Sequence, residues 1–106
     1  MIIYSVTVSV NKPRANEWIK WMTREHIPEV METGFFFDFL LTEVLEAPEN
    51  NQSRTFNVQY HAQSREDYEH YLAGPAEALR EKHRLAFGED SVAFRTLLRP
   101  ISKLHP

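Results

Sequence analysis

The sequence predicts an α+β domain of βαββαβ order, a four-stranded antiparallel sheet with two kinked helices on one face. Three observations lead there. Apolar residues alternate at every second position over 2–10 and 54–63, the period of a strand packed on one side. They recur at steps of three and four over 18–30 and 68–86, the period of a helix. Glycine and proline punctuate the chain, at Gly34 and Gly88 after the helical runs and at Gly74-Pro75 within the second. The 106 residues, 42% of them apolar and 25% charged, suffice for one core, so a single domain over 1–106 is expected.

In the first strand Ile2, Tyr4, Val6, Val8 and Val10 share one face, and Ile3, Ser5, Thr7 and Ser9 the other. Asn11-Lys12-Pro13 then opens a helix, with Asn11 able to cap it and Pro13 suited to its first turn. Trp18, Ile19, Met22, His26 and Val30 form its apolar stripe. Pro28 cannot donate a backbone hydrogen bond and pushes Ile27 out of helical geometry, so a kink or restart is expected there. Gly34 ends this helix, and Phe35 to Leu41 reads as a strand with bulk on both faces. A polar connector over 48–53 makes a hairpin with the third strand, Arg54 to Gln63, in which Phe56, Val58 and Tyr60 alternate with polar residues. Ser64 caps a second helix, with Asp67 three residues on. Its stripe of Tyr68, Tyr71, Leu72, Leu79, His83 and Ala86 is broken at Gly74-Pro75, which predicts a split or a kink. Gly88 stops it, and Val92 to Leu98 form the last strand.

This order is the split βαβ, or ferredoxin-like, arrangement. Right-handed crossovers put both helices on one face and give the strand order 4-1-3-2. With the greasier side of each strand against the helices, the bare face carries Ser5, Thr7, Phe36, Asp38, Leu40, Val44, Asn57, Gln59, His61, Ala93, Arg95 and Leu97. Phe36, Leu40, Val44 and Leu97 make a larger apolar patch than monomers usually expose, and a second copy of the chain is the expected cover. Asp38 and Arg95 then lie on opposite edge strands, about 14 Å apart, and would meet only across the dimer.

The net charge of −3 and the scattered basic residues argue against nucleic acid. Cysteine is absent, so no disulfide or thiolate chemistry can be written, and with neither a basic leader nor an apolar run of about 18 residues a cytoplasmic protein without a membrane span is expected. The acceptor sequence Asn51-Gln52-Ser53 matters only in a secreted chain. Three glycines form no phosphate or dinucleotide loop, and Glu66 with His70 lacks further ligands, so neither a cofactor nor a metal is expected.

The weak catalytic candidates are His26, His61 and Arg95. His26, on the apolar stripe beside Pro28, is either an acid or base at a cavity mouth or a hydrogen-bonded core histidine that fixes the kink. His61, with Asn57 and Gln59, faces the dimer space, where these groups either bind a polar ligand edge or pair across the interface. Arg95 on a covered face needs an anion, either a ligand or Asp38 of the partner subunit. Asn57, Gln59, His61, Asp38 and Arg95 are thus the expected ligand-binding set. Trp18, Trp21, Tyr68 and Tyr71 sit at helical spacings and read as packing.

The runs Trp18-Ile19-Lys20-Trp21-Met22, His26-Ile27-Pro28-Glu29-Val30-Met31 and Thr33-Gly34 resemble an uncharacterised bacterial family of domains of about this length. Tyr60, Tyr68-Glu69-His70-Tyr71-Leu72 and Phe94-Arg95-Thr96 extend the likeness over nearly the whole chain. That family is similar to the dimeric α/β-barrel superfamily, in which two ferredoxin-like sheets pair into a barrel. The resemblance implies a homodimer, and the superfamily spans cofactor-independent monooxygenases, isomerases, dehydratases and stress-responsive proteins. Its oxygenases position aromatic substrates with Asn, Trp and Arg; Asn57 and Arg95 match these by type and not by register, so no catalytic role is carried over. Three functions remain open: a homodimer holding a small, partly apolar molecule between its sheets, a cofactor-independent monooxygenase or isomerase using that cavity, and an interaction module with a packed barrel.

Overall fold

The computed structural model describes residues 1–47 and 52–104. Residues 48–51, the centre of the expected polar hairpin tip with Asn51 of the acceptor sequence, lie outside that set.

Strand β1 (Ile2–Asn11) runs into α1 (Lys12–Trp21), a π-helical turn (Met22–His26) and α2 (Ile27–Glu32). Then come β2 (Asp38–Glu43), β3 (Ser53–Ala62), α3 (Arg65–Ala73), α4 (Ala76–Phe87) and β4 (Ser91–Leu98). The sheet is antiparallel in the order β2-β3-β1-β4, the expected 4-1-3-2 read from the other edge. The core lies between one sheet face and the helices. Tyr4, Val8, Val10, Phe56, Val58 and Tyr60 pack there against Trp18, Met22, Ile27, Val30, Tyr71, Leu79 and Phe87.

Four local expectations are corrected. Ile27 stays helical (φ −61°, ψ −46°), because the chain absorbs Pro28 with a wide turn in which the Ile27 N–H donates to the Met22 carbonyl, five residues back. The stretched register takes up the bond that proline cannot make. Asn11 makes no side-chain cap to α1; it ends β1, and its amide donates to Asp90 Oδ1 at 3.4 Å. Strand β2 begins only at Asp38, and Phe36 before it is 5% exposed, with its ring 4.8 Å from Tyr71 and 5.3 Å from Tyr60. Phe36 therefore belongs to the core and not to the bare face.

The fourth concerns β4. Its register pairs Ala93 with Val8, Arg95 with Val6 and Leu97 with Tyr4, all facing the helices. Val92, Phe94, Thr96 and Leu98 are the residues on the open face, the reverse of the expected orientation. Apolar residues stand at both parities in this strand, so hydrophobicity alone puts Phe94 inside, while pairing with β1 puts it outside. The open face still carries an apolar patch: Leu40 is 55%, Val92 73% and Phe94 61% exposed, with Val44 and Leu98 beside them.

The remaining caps follow the sequence. Ser64 Oγ accepts from the Asp67 N–H at 3.1 Å, Gly74 and Pro75 separate α3 from α4, and Gly34 ends α2 at a positive φ of 82°.

Candidate functional site in the cavity between helices and sheet

The expected site residues divide between the two faces of the sheet. Asp38, Asn57, Gln59 and His61 are on the open face, where Asp38 stands opposite His61. Asn57 is committed to its own sheet: its amide nitrogen donates to Ser5 Oγ at 2.8 Å and Thr7 Oγ1 at 3.1 Å. Ser9 and Thr55 make a similar cross-strand pair at 2.9 Å. His61 lies edge-on to Phe37, with its Nε2 buried and unpartnered. His26 and Arg95 are on the helix side of the sheet, Arg95 exposed on the edge strand. Because β4 is turned over, Arg95 does not project toward a partner's Asp38; its Nε donates to Tyr4 Oη at 3.0 Å.

His26 and Arg95 line one cavity of about 40 Å³, room for roughly two or three waters. Its floor is Tyr4, Val6 and Val8 of β1 with Val58 and Tyr60 of β3; its roof is Met22, His26, Val30 and Tyr71; Arg80 and His83 of α4 with Ala93 and Arg95 of β4 close the side. The wide turn at 22–26 ends on His26, so the local irregularity Pro28 requires supplies two of these residues.

The polar groups have defined states. Trp18 Nε1 lies 2.9 Å from His83 Nε2. An indole N–H can only donate, so this nitrogen accepts and the neutral imidazole carries its proton on Nδ1. Burial, with Arg95 adding to it, lowers the His83 pKa. His26 stacks on Trp21 with centroids 4.9 Å apart and lies 6.0 Å from the His83 ring. Burial, seconded by His83, pushes its pKa down to about 4, so it is a free base at neutral pH. Among the described residues its Nδ1 is buried without a partner. Burial likewise pushes the Tyr60 and Tyr71 phenols up, so both keep their protons, and Tyr60 Oη is buried and unpartnered.

Tyr4 is the junction. Its hydroxyl oxygen accepts from Arg95 Nε and from Arg80 Nη2, each at 3.0 Å. With its acceptor capacity filled, its own proton is left to donate. The cavity thus offers a neutral base at His26, donors at Tyr4 and Tyr60, and two guanidinium cations, on otherwise apolar walls.

Sequence reasoning missed Tyr4, Tyr60, Arg80 and His83 as site residues, although a signal was present. Tyr4 and Tyr60 are the polar-tipped members of the inward sets of β1 and β3, and they pair directly in the register. His83 continues the stripe of Leu79, with Arg80 three residues before it.

No curated protein sequence matches the chain. Among solved structures it is similar to the heme-degrader MhuD from Mycobacterium tuberculosis, solved with two hemes in its active site. The two share 20% identity over 99% of this chain and 100% of that one, with a TM-score of 0.69. It is also similar to SnoaB, a cofactor-independent oxygenase from Streptomyces nogalater, at 14% identity over 97% and 96% of the two chains and a TM-score of 0.62. A dimeric ferredoxin-like protein from an uncultured marine organism matches at 11% identity over 100% of both chains, with a TM-score of 0.69. These likenesses establish the ferredoxin-like fold. The sequence places the chain more closely: residues 1–101 match the profile of the Domain of unknown function (DUF4286), and the chain belongs to that family.

Proposed function

We propose that the cavity between the helices and the sheet binds a small, partly apolar molecule and acts on it as a cofactor-independent acid–base site of monooxygenase or isomerase type. The observation that carries this reading is the convergence of a neutral His26, the Tyr4 and Tyr60 hydroxyls and two arginines on one apolar-walled space. In this reading the free imidazole of His26 takes a proton from bound substrate. The negative charge left behind faces the donors of Tyr4, Arg80 and Arg95. SnoaB, a cofactor-independent oxygenase, shares the fold, which is compatible with such chemistry and does not require it. This places the ligand inside each protomer, where the sequence alone suggested the space between two sheets.

The same reading includes a homodimer through the open face, supported by its exposed Leu40, Val92 and Phe94 and by fold neighbours that are themselves dimeric. In the dimer His61 and Gln59 would meet the partner, not the substrate.

The test is thermal stabilisation across a panel of small aromatic ketones, phenols and acids, since a ligand selective for the folded state raises its melting temperature. At least one class is expected to stabilise dose-dependently and to be consumed under air without added cofactor, with turnover lost in His26→Ala. Uniformly flat shifts would leave the chain an interaction module with a packed interior.

A further inference from the structure

The two arginines that meet at Tyr4 have no carboxylate within 4.0 Å among the described residues, whereas Arg14 has two and Arg54, Arg65 and Arg84 have one each. Arg80 and Arg95 instead share one neutral oxygen, Tyr4 Oη, which brings two like charges together with no counter-charge. Arg80 Nε is in addition buried without a partner. An unpaired buried donor such as Arg80 Nε is costly unless an acceptor completes it, and Arg95, exposed at the rim, leaves its remaining donors open to the same acceptor.

Their position is informative too. Arg80, His83, Ala93 and Arg95 line both the inner cavity and an outer groove of about 630 Å³ between α4 and β4. The arginine pair therefore stands at the boundary between the aromatic interior and solvent. Glu77 and Glu81 also line the outer groove, but Glu81 is held by Arg84 at 2.8 Å. The inner cavity as it stands holds only a few waters, so a ring-sized body must pass this boundary and displace side chains there.

Resting on the reading of the cavity as a ligand site, we propose that the ligand is a small organic acid: its carboxylate sits between Arg80 and Arg95 and its flat apolar body lies among Tyr4, Tyr60 and Tyr71. The carboxylate accepts from the guanidinium N–H groups that Tyr4 leaves unused, and the Tyr4 O–H, whose lone pairs are already taken, stays free for the charge that develops on the substrate. Planar guanidiniums suit a carboxylate better than a single lysine would, because each presents parallel donors.

The experiment uses benzoate and its neutral isostere benzamide, titrated calorimetrically into the intact chain and into Arg80→Met, Arg95→Met and Arg80→Lys, with folding checked by circular dichroism. Benzoate is expected to bind about tenfold or more tightly than benzamide. Each methionine variant should remove that preference while leaving benzamide affinity within about twofold, and Arg80→Lys should restore only part of it. Benzamide binding as tightly as benzoate, or a preference that survives both methionine variants, overturns the organic-acid assignment and leaves the cavity reading intact. Absence of binding by either compound overturns both.

Discussion

At the scale of single residues, the cavity's groups are held in states that water would not give them. His26 is pushed down to about 4 from an ordinary 6.5, and His83 is lowered as well. Below 6.5 the unfolded chain takes up protons at these positions and the folded chain does not. The contribution of His26 is therefore complete above about pH 6.5 and is lost as the pH falls toward 4, and that of His83 is lost in the same direction. Urea unfolding between pH 7 and pH 5 should show stability falling, with His26 contributing up to about 1.4 kcal/mol per pH unit and His83 acting in the same direction, and His26→Gln should flatten the slope. The carboxylates of Glu17, Glu43 and Glu81, held down by Arg14, Arg54 and Arg84, act only below their ordinary 4.5 and so fall outside this window. A slope unchanged in His26→Gln would show that this imidazole titrates alike in the folded and the unfolded chain. His26 was legible as a candidate because it stands on an apolar stripe beside a proline. Arg80 and Tyr4 were not, because their meaning comes from contact between β1, α4 and β4, and no spacing along the chain encodes it.

At the scale of elements, the glycines show where backbone contact decides. At Gly88 an added Cβ would lie 2.4 Å from the Arg84 carbonyl oxygen. Gly34 needs its positive φ of 82°, while a Cβ on Gly74 would meet its nearest atom at 3.3 Å without such a constraint. Gly88→Ala and Gly34→Ala should each cost about 1 kcal/mol or more in chemical denaturation, and Gly74→Ala less than either; equal costs at all three would contradict this geometry. Helices α1 and α2 were readable from periodicity, but the turn that joins them was not: proline predicts a break, and the structure substitutes a wide turn because Met22, Ile27 and Val30 on either side are all buried in one core. Strand β1, with polar residues on one parity only, had its face assigned correctly. Strand β4, apolar at both, did not, and Arg95 moved with it from a supposed interface to the cavity.

At the scale of the whole molecule, one sheet face is committed to the helices and the other, with Leu40, Val92 and Phe94 bare, awaits cover. Light scattering should give a mass about twice the 12.5 kDa of the chain, and Phe94→Asp should halve it without altering the far-ultraviolet spectrum. A wild-type mass of one chain would remove the dimer and leave the cavity untouched, since every group lining it comes from a single protomer. The fold order was legible because it follows from alternating periods. Of the site only His26 and Arg95 were named, because the rest sits on the side of the sheet that hydrophobicity marks as mere core. The claim that the ligand enters this side is tested most directly by following the histidine Cε1–H resonances while benzoate is added. His26 and His83 should shift and His61 should not; movement of His61 with His26 and His83 unchanged would instead put binding between the sheets.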